Sequence, residues 1–213
     1  MRLTNSLLTV AALTLPAATS AAGLGERLAT EGKDGIVACQ TCHQPDGSGN
    51  ASAAYPRLAG MNADYMQRQL EALKSGARQN AVMKPMASAL SSKEMAAVSR
   101  YYARMDPPTT APGDSGEKAA RGQAIAQRGL WRKGVPACSS CHGPNSRGVG
   151  ADFPALAGQH ASYITAQIQA WQQDKRSNDP NGLMAAVADK LTEAEAEAAA
   201  AYFASLPAVS PQD

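Results

Sequence analysis

The chain has 213 residues, room for one large domain or two small ones. Charged residues make up 18% and apolar residues 44%, a balance that excludes a disordered polymer and a membrane bundle alike. Basic residues exceed acidic ones by only 2 and form no run, so nothing electrostatic favours nucleic acid.

The first segment reads as an address. Arg2 supplies a positive start, residues 7–15 (LLTVAALTL) an apolar stretch, and Ser20-Ala21-Ala22 a small-residue cleavage pattern. Residues 1–22 are therefore expected to be a cleaved signal peptide, because the apolar stretch is shorter than the ~20 residues a spanning helix needs. The mature chain is expected in an oxidising, exported compartment, either free or peripherally attached to a membrane. A first helix is expected over 24–32.

Next come the cysteines. Cys39-Gln-Thr-Cys42-His43 recurs as Cys138-Ser-Ser-Cys141-His142, and these four are all the cysteines present. Cys-x-x-Cys-His is the attachment signature of a c-type haem. Two thiols at that spacing add to the two vinyl groups on one porphyrin edge, and the adjacent His is aimed at the iron. A zinc site needs its two Cys pairs ~15–20 residues apart, and a redox dithiol needs a βαβ context. Structural disulfides leave the two histidines unexplained.

The motifs belong to a longer repeat. Tyr55-Pro56-Arg57-Leu58-Ala59-Gly60 matches Phe153-Pro154-Ala155-Leu156-Ala157-Gly158 at an offset of 98. Tyr65, Gln69, Arg78 and Asn80 match Tyr163, Gln167, Arg176 and Asn178 at the same offset. Beyond an insertion of three residues the offset is 101, pairing Met83 with Met184, Leu90 with Leu191 and Tyr101 with Tyr202. Helices are expected over 63–75 and 162–173, and a counterpart of the first over 116–130. The last helix of each half starts from a capping box, Ser91 with Glu94 and Thr192 with Glu195. Pro107 and Pro207 stop these helices, and no alternating strand run is present. A Pro- and Gly-rich stretch separates the copies. The domain reading is thus 23–108, a linker at 109–117, and 118–213.

An electron-carrying iron takes a second axial ligand, and Met opposite His raises its potential. The second half holds one methionine, Met184, and the repeat pairs it with Met83. Met86 aligns with Val187 and reads as packing. His160, whose counterpart is Asn62, reads as a solvated loop residue rather than a ligand. Pro56 and Pro154 follow the motif histidines by 13 and 12 residues. Each either offers its carbonyl to the imidazole or simply begins a turn.

Cys-x-x-Cys-His, then Pro-x-Leu-x-Gly, then Met, then an aromatic-bearing last helix resembles a class I cytochrome c domain. Two such domains on a Pro-rich linker resemble the dihaem cytochrome c4 family. The resemblance implies an all-α chain of two tandem domains, each wrapped around one covalently bound haem c. It implies axial pairs His43/Met83 and His142/Met184, thioethers at Cys39, Cys42, Cys138 and Cys141, and Pro56 and Pro154 as acceptors behind the histidines. It also implies a periplasmic electron carrier rather than an enzyme. Its donor would be a quinol-oxidising complex and its acceptor a haem-copper terminal oxidase, with no small-molecule substrate. The alternative is the electron-accepting subunit of a periplasmic dehydrogenase, for example a flavin-linked sulfide oxidoreductase. A dihaem peroxidase needs one open iron, which paired methionines argue against. The shorter segment before Met83 makes equal potentials an unsafe assumption.

Overall fold

The computed structural model describes residues 21–109 and 116–209. The signal-peptide reading falls outside these residues except for its last two positions, and most of the linker reading also lies outside them. The first half comprises α1 (Ala21–Thr30), α2 (Gln40–His43), α3 (Ala63–Ser75), α4 (Met83–Ala89) and α5 (Ser92–Ala103). The second comprises α6 (Glu117–Arg128), α7 (Ser139–His142), α8 (Ala161–Gln172), α9 (Leu183–Ala188) and α10 (Glu193–Ser205). Extended pairing among the described residues is limited to isolated bridges. No described helix is long and apolar enough to cross a membrane.

Local chemistry sets the ends of these helices. Gly76 closes α3, its N–H bonded to the Ala72 carbonyl. Both capping boxes form, with the Ser91 and Thr192 hydroxyls accepting from the Glu94 and Glu195 N–H groups. α4 and α9 are too short for a periodic pattern to announce, yet they carry Met83 and Met184 as their first and second residues. The 116–130 expectation overran, since the chain leaves α6 at Gly129 and closes a Leu130–Val135 bridge instead. That turn leaves Trp131 71% exposed.

In each half the terminal helices cross at a glycine. A Cβ on Gly25 would stand 2.3 Å from the Ala97 carbonyl oxygen, and one on Gly122 1.9 Å from that of Ala198. Only a missing side chain lets α1 approach α5, and α6 approach α10, this closely. α3 and α8 then pack on the last helix of their own half. One core gathers Leu28, Met66, Met95, Val98 and Tyr102, the other Ile125, Ile164, Ile168 and Phe203. Met86 and Val187 pack against these cores, whereas Met83 and Met184 are not among the core-packing residues.

The repeated polar residues meet across the two halves. Arg78 Nη2 donates to Tyr163 Oη at 2.7 Å and Gln167 Oε1 at 2.8 Å. Reciprocally, Arg176 Nη2 donates to Tyr65 Oη at 3.2 Å and Gln69 Oε1 at 2.9 Å. The Gln79 and Ser177 N–H groups donate to the Lys175 and Ala77 carbonyls, closing an antiparallel bridge between the two arginines. Arg57, only 1% exposed, donates to the Ala157 and Gly158 carbonyls of the other half and to its own Ala59 carbonyl. The Gln159 amide brackets the Arg57 backbone, accepting from its N–H at 2.9 Å and donating to its C=O at 3.0 Å. His160 is not a solvated loop residue. It precedes α8 half-buried and donates Nε2–H to the Ser48 carbonyl at 2.8 Å.

Candidate haem-binding sites

Each Cys-x-x-Cys-His motif is one helical turn. The His43 N–H donates to the Cys39 carbonyl at 3.0 Å, and the His142 N–H to that of Cys138 at 2.9 Å. Cysteines three apart on a turn share a face, with the histidine directly following. All four thiols are unpaired. The two pairs do not converge, and no group of three or more His, Cys, Asp or Glu side chains able to hold a metal forms among the described residues. Burial pushes Cys39 and Cys138 up to about 11. Reactive dithiols shift the other way.

Both motif histidines are 6% exposed. His43 Nδ1 lies 3.0 Å from the Pro56 carbonyl oxygen and His142 Nδ1 2.8 Å from that of Pro154. Such a bond fixes the tautomer and leaves Nε2 to a metal. Burial lowers the pKa of both imidazoles, against the opposing pull of the proline carbonyls, and so favours the neutral, ligating form. The rings of Tyr55 and Phe153 each sit 6.3 Å from the histidine they follow in chain order.

The proline reaches the imidazole because the intervening loop folds back through a glycine. The Gly49 N–H donates to the His43 carbonyl, and the Gly148 N–H to that of His142. A Cβ on Gly49 would lie 2.5 Å from the Pro56 carbonyl, and one on Gly148 2.6 Å from the Ala155 nitrogen. Helical periodicity does not single these glycines out. Their signal is that each stands six residues after its motif histidine.

The methionines are held by different acceptors. Asn80 Oδ1 accepts from the Val82 and Met83 N–H groups at 3.0 and 2.8 Å. Asp179 Oδ2 accepts from those of Met184 and Ala185 at 2.9 and 3.1 Å. The structure therefore offers, twice over, paired free thiols, a buried neutral imidazole with one nitrogen committed, and a methionine fixed at a helix start. That donor set fits a covalently attached haem c, which the thiols would anchor and to whose iron the imidazole and the methionine sulfur would be available as ligands.

Fold and donor chemistry together define the class as a tandem pair of cytochrome c domains. The sequence profile of the cytochrome c family matches residues 24–105 and again 119–207. The chain is 45% identical over 200 residues to the thiosulfate dehydrogenase electron acceptor of Stutzerimonas stutzeri (strain A1501), covering 92% of each. It is 37% identical over 186 residues to cytochrome c4 of Thiocapsa roseopersicina, covering 86% of this chain and 94% of that one. A solved structure of thiosulfate dehydrogenase (TsdBA) from Marichromatium purpuratum superposes with a TM-score of 0.81 at 44% identity. The match covers 86% of this chain but only 40% of that longer one. The chain belongs to the cytochrome c4 family.

Proposed function

We propose that this protein is a periplasmic dihaem carrier that accepts electrons from a thiosulfate-oxidising dehydrogenase and passes them to the respiratory chain. The observation that carries the reading is the 45% identity, over 92% of each chain, with a thiosulfate dehydrogenase electron acceptor. This favours the dehydrogenase-linked alternative over a primary quinol-oxidising donor, and it replaces the flavin-linked sulfide example with a sulfur-oxyanion one. We keep a haem-copper terminal oxidase as the onward acceptor.

Each haem c supplies one-electron chemistry at its iron when bound. In this reading Cys39, Cys42, Cys138 and Cys141 anchor the two haems as thioethers. His43 with Met83, and His142 with Met184, are the axial pairs. Pro56 and Pro154 orient the histidines, and domains at 23–108 and 118–213 flank a linker at 109–117. Two one-electron sites in one chain let a two-electron oxidation unload in a single encounter.

The test mixes oxidised holoprotein with a thiosulfate dehydrogenase and thiosulfate, and follows haem absorbance. Reduction of both haems, saturable in carrier and faster than with an unrelated monohaem cytochrome of similar potential, is expected. No reduction by the dehydrogenase, together with rapid reduction by a quinol-oxidising complex, would overturn the assignment of donor.

A further inference from the structure

The repeat pairs Asn80 with Asn178, but the two do different work. Asn80 holds the Met83 N–H. Asn178 instead accepts from Arg176 Nε at 3.0 Å and donates to Gln69 of the other half at 2.9 Å. The task of holding Met184 falls to Asp179, one residue on, inside the segment the first half lacks. Its second oxygen, Oδ1, accepts the Trp171 indole N–H at 3.0 Å. The Arg176 guanidinium lies over the Trp171 ring, 4.0 Å from its centroid, and the same guanidinium reaches Tyr65 and Gln69 in the first half. A continuous chain of contacts thus runs from the first half through Arg176, Trp171 and Asp179 to the backbone of Met184. The first half has no equivalent, because Leu73 stands where the repeat places Trp171 and a neutral amide stands where the second half uses a carboxylate.

We propose that Asp179 is the positioning residue for Met184, and that Trp171 and Arg176 tie its hold to the contact between the halves. The proposal rests on Met184 being the axial ligand in the reading above. A carboxylate accepting backbone N–H groups makes charge-assisted bonds, stronger than those of a neutral amide. Met184 is therefore held more firmly than Met83 while the halves are docked, and it loosens when any link in the chain is cut. Among the described residues, Met83 is held by Asn80 alone, with no such side-chain relay to the other half behind the acceptor.

The probe is imidazole, which competes with a methionine for ferric iron in the holoprotein. Loss of the methionine-to-iron charge-transfer band reports the exchange. Met83→Ala and Met184→Ala assign the signal of each haem. Asp179→Ala is expected to raise imidazole affinity at the second haem about tenfold or more, the scale set by losing bonds to a charged acceptor. The first haem should not change. Asp179→Asn keeps one acceptor oxygen and should give a smaller rise. Trp171→Phe keeps the ring under Arg176 but removes the indole donor, and it should raise affinity at the second haem alone. Tyr65→Phe, although in the first half, should do the same by about two- to threefold. If Asp179→Ala leaves imidazole binding unchanged while Met184→Ala opens the second haem, the ligand assignment stands and Asp179 is not its positioner. If Tyr65→Phe alone is silent, the link between the halves is overturned. A silent Met184→Ala overturns the ligand assignment and this proposal with it.

Discussion

Replacing Arg57 with alanine tests what holds the two halves together. Burial pushes this guanidinium down to about 10, from an ordinary value of 12.5. At 1.36 kcal/mol per unit, burying the charge costs roughly 3 kcal/mol. Three bonds to carbonyls offset it, and hydrogen bonds to charged groups contribute about 1.5–3 kcal/mol each. Less that cost, the three bonds leave roughly 2–6 kcal/mol, about two-thirds of it from the bonds that cross between the halves. Two of its three acceptors, the Ala157 and Gly158 carbonyls, lie in the other half. The second copy carries Ala155 at the matching position, so alanine is a residue the local backbone already accepts there. Urea unfolding of the holoprotein can be followed in parallel by haem absorbance, which reports both halves, and by tryptophan fluorescence. Trp131 and Trp171 both lie in the second half. In the parent the two probes should trace one transition. In Arg57→Ala they should separate, with the stability of the docked state reduced by about 3 kcal/mol. Arg57→Lys keeps the charge without the planar fork and should fall between the two. Coincident transitions within about 0.5 kcal/mol of the parent would refute the reasoning. An Arg57→Met variant more stable than the parent would do so too, since desolvation would then outweigh the bonds.

Three other outcomes are expected. Met83→Ala and Met184→Ala should each let one reduced haem bind carbon monoxide, whereas Met86→Ala and His160→Ala should leave both spectra unchanged; difference spectra decide, and an opened iron in Met86→Ala would move the first ligand. Gly122→Ala should lower stability by about 3 kcal/mol in thermal melts, because its Cβ would drive into the Ala198 carbonyl at the helix crossing; a melt indistinguishable from the parent would mean that the crossing relaxes freely. Glu94 is held down at about 2 by its bond to Lys33 and by the Ser91 N–H and hydroxyl. Its folded value lies below the unfolded one, so its contribution is present above about pH 4.5 and is lost as pH falls through 2. Glu94→Gln should therefore cost about 1 kcal/mol near neutrality, less as pH falls toward 2 and almost nothing below it, and a cost that persists in stronger acid would assign the effect to packing.

Much of this protein is written in short-range chemistry. Cys-x-x-Cys-His points to its cofactor because the spacing of the two thiols and the neighbouring imidazole are fixed within five consecutive residues. The capping boxes at Ser91 and Thr192 are local in the same sense, closing on partners three residues away. The repeat adds one long-range inference, pairing Met83 with Met184, which the proposed reading uses as the second ligands of the two irons.

What the tertiary structure alone decided is where equivalent residues point. Tyr65, Gln69 and Arg78 recur as Tyr163, Gln167 and Arg176, and recurrence by itself cannot distinguish bonds within each copy from bonds exchanged between copies. The halves face one another reciprocally, so each arginine finds the other half's tyrosine and glutamine. His160 changed role for the same reason, since the Ser48 carbonyl it meets is 112 residues away in the chain. The Asn80–Asn178 match is correct as sequence and misleading as function. With three residues inserted before Met184, a carboxylate, rather than the aligned amide, meets the methionine backbone. Sequence periodicity records which residues a helix buries against its own core. It carries no term for the surface that a second copy, docked face to face, takes out of water.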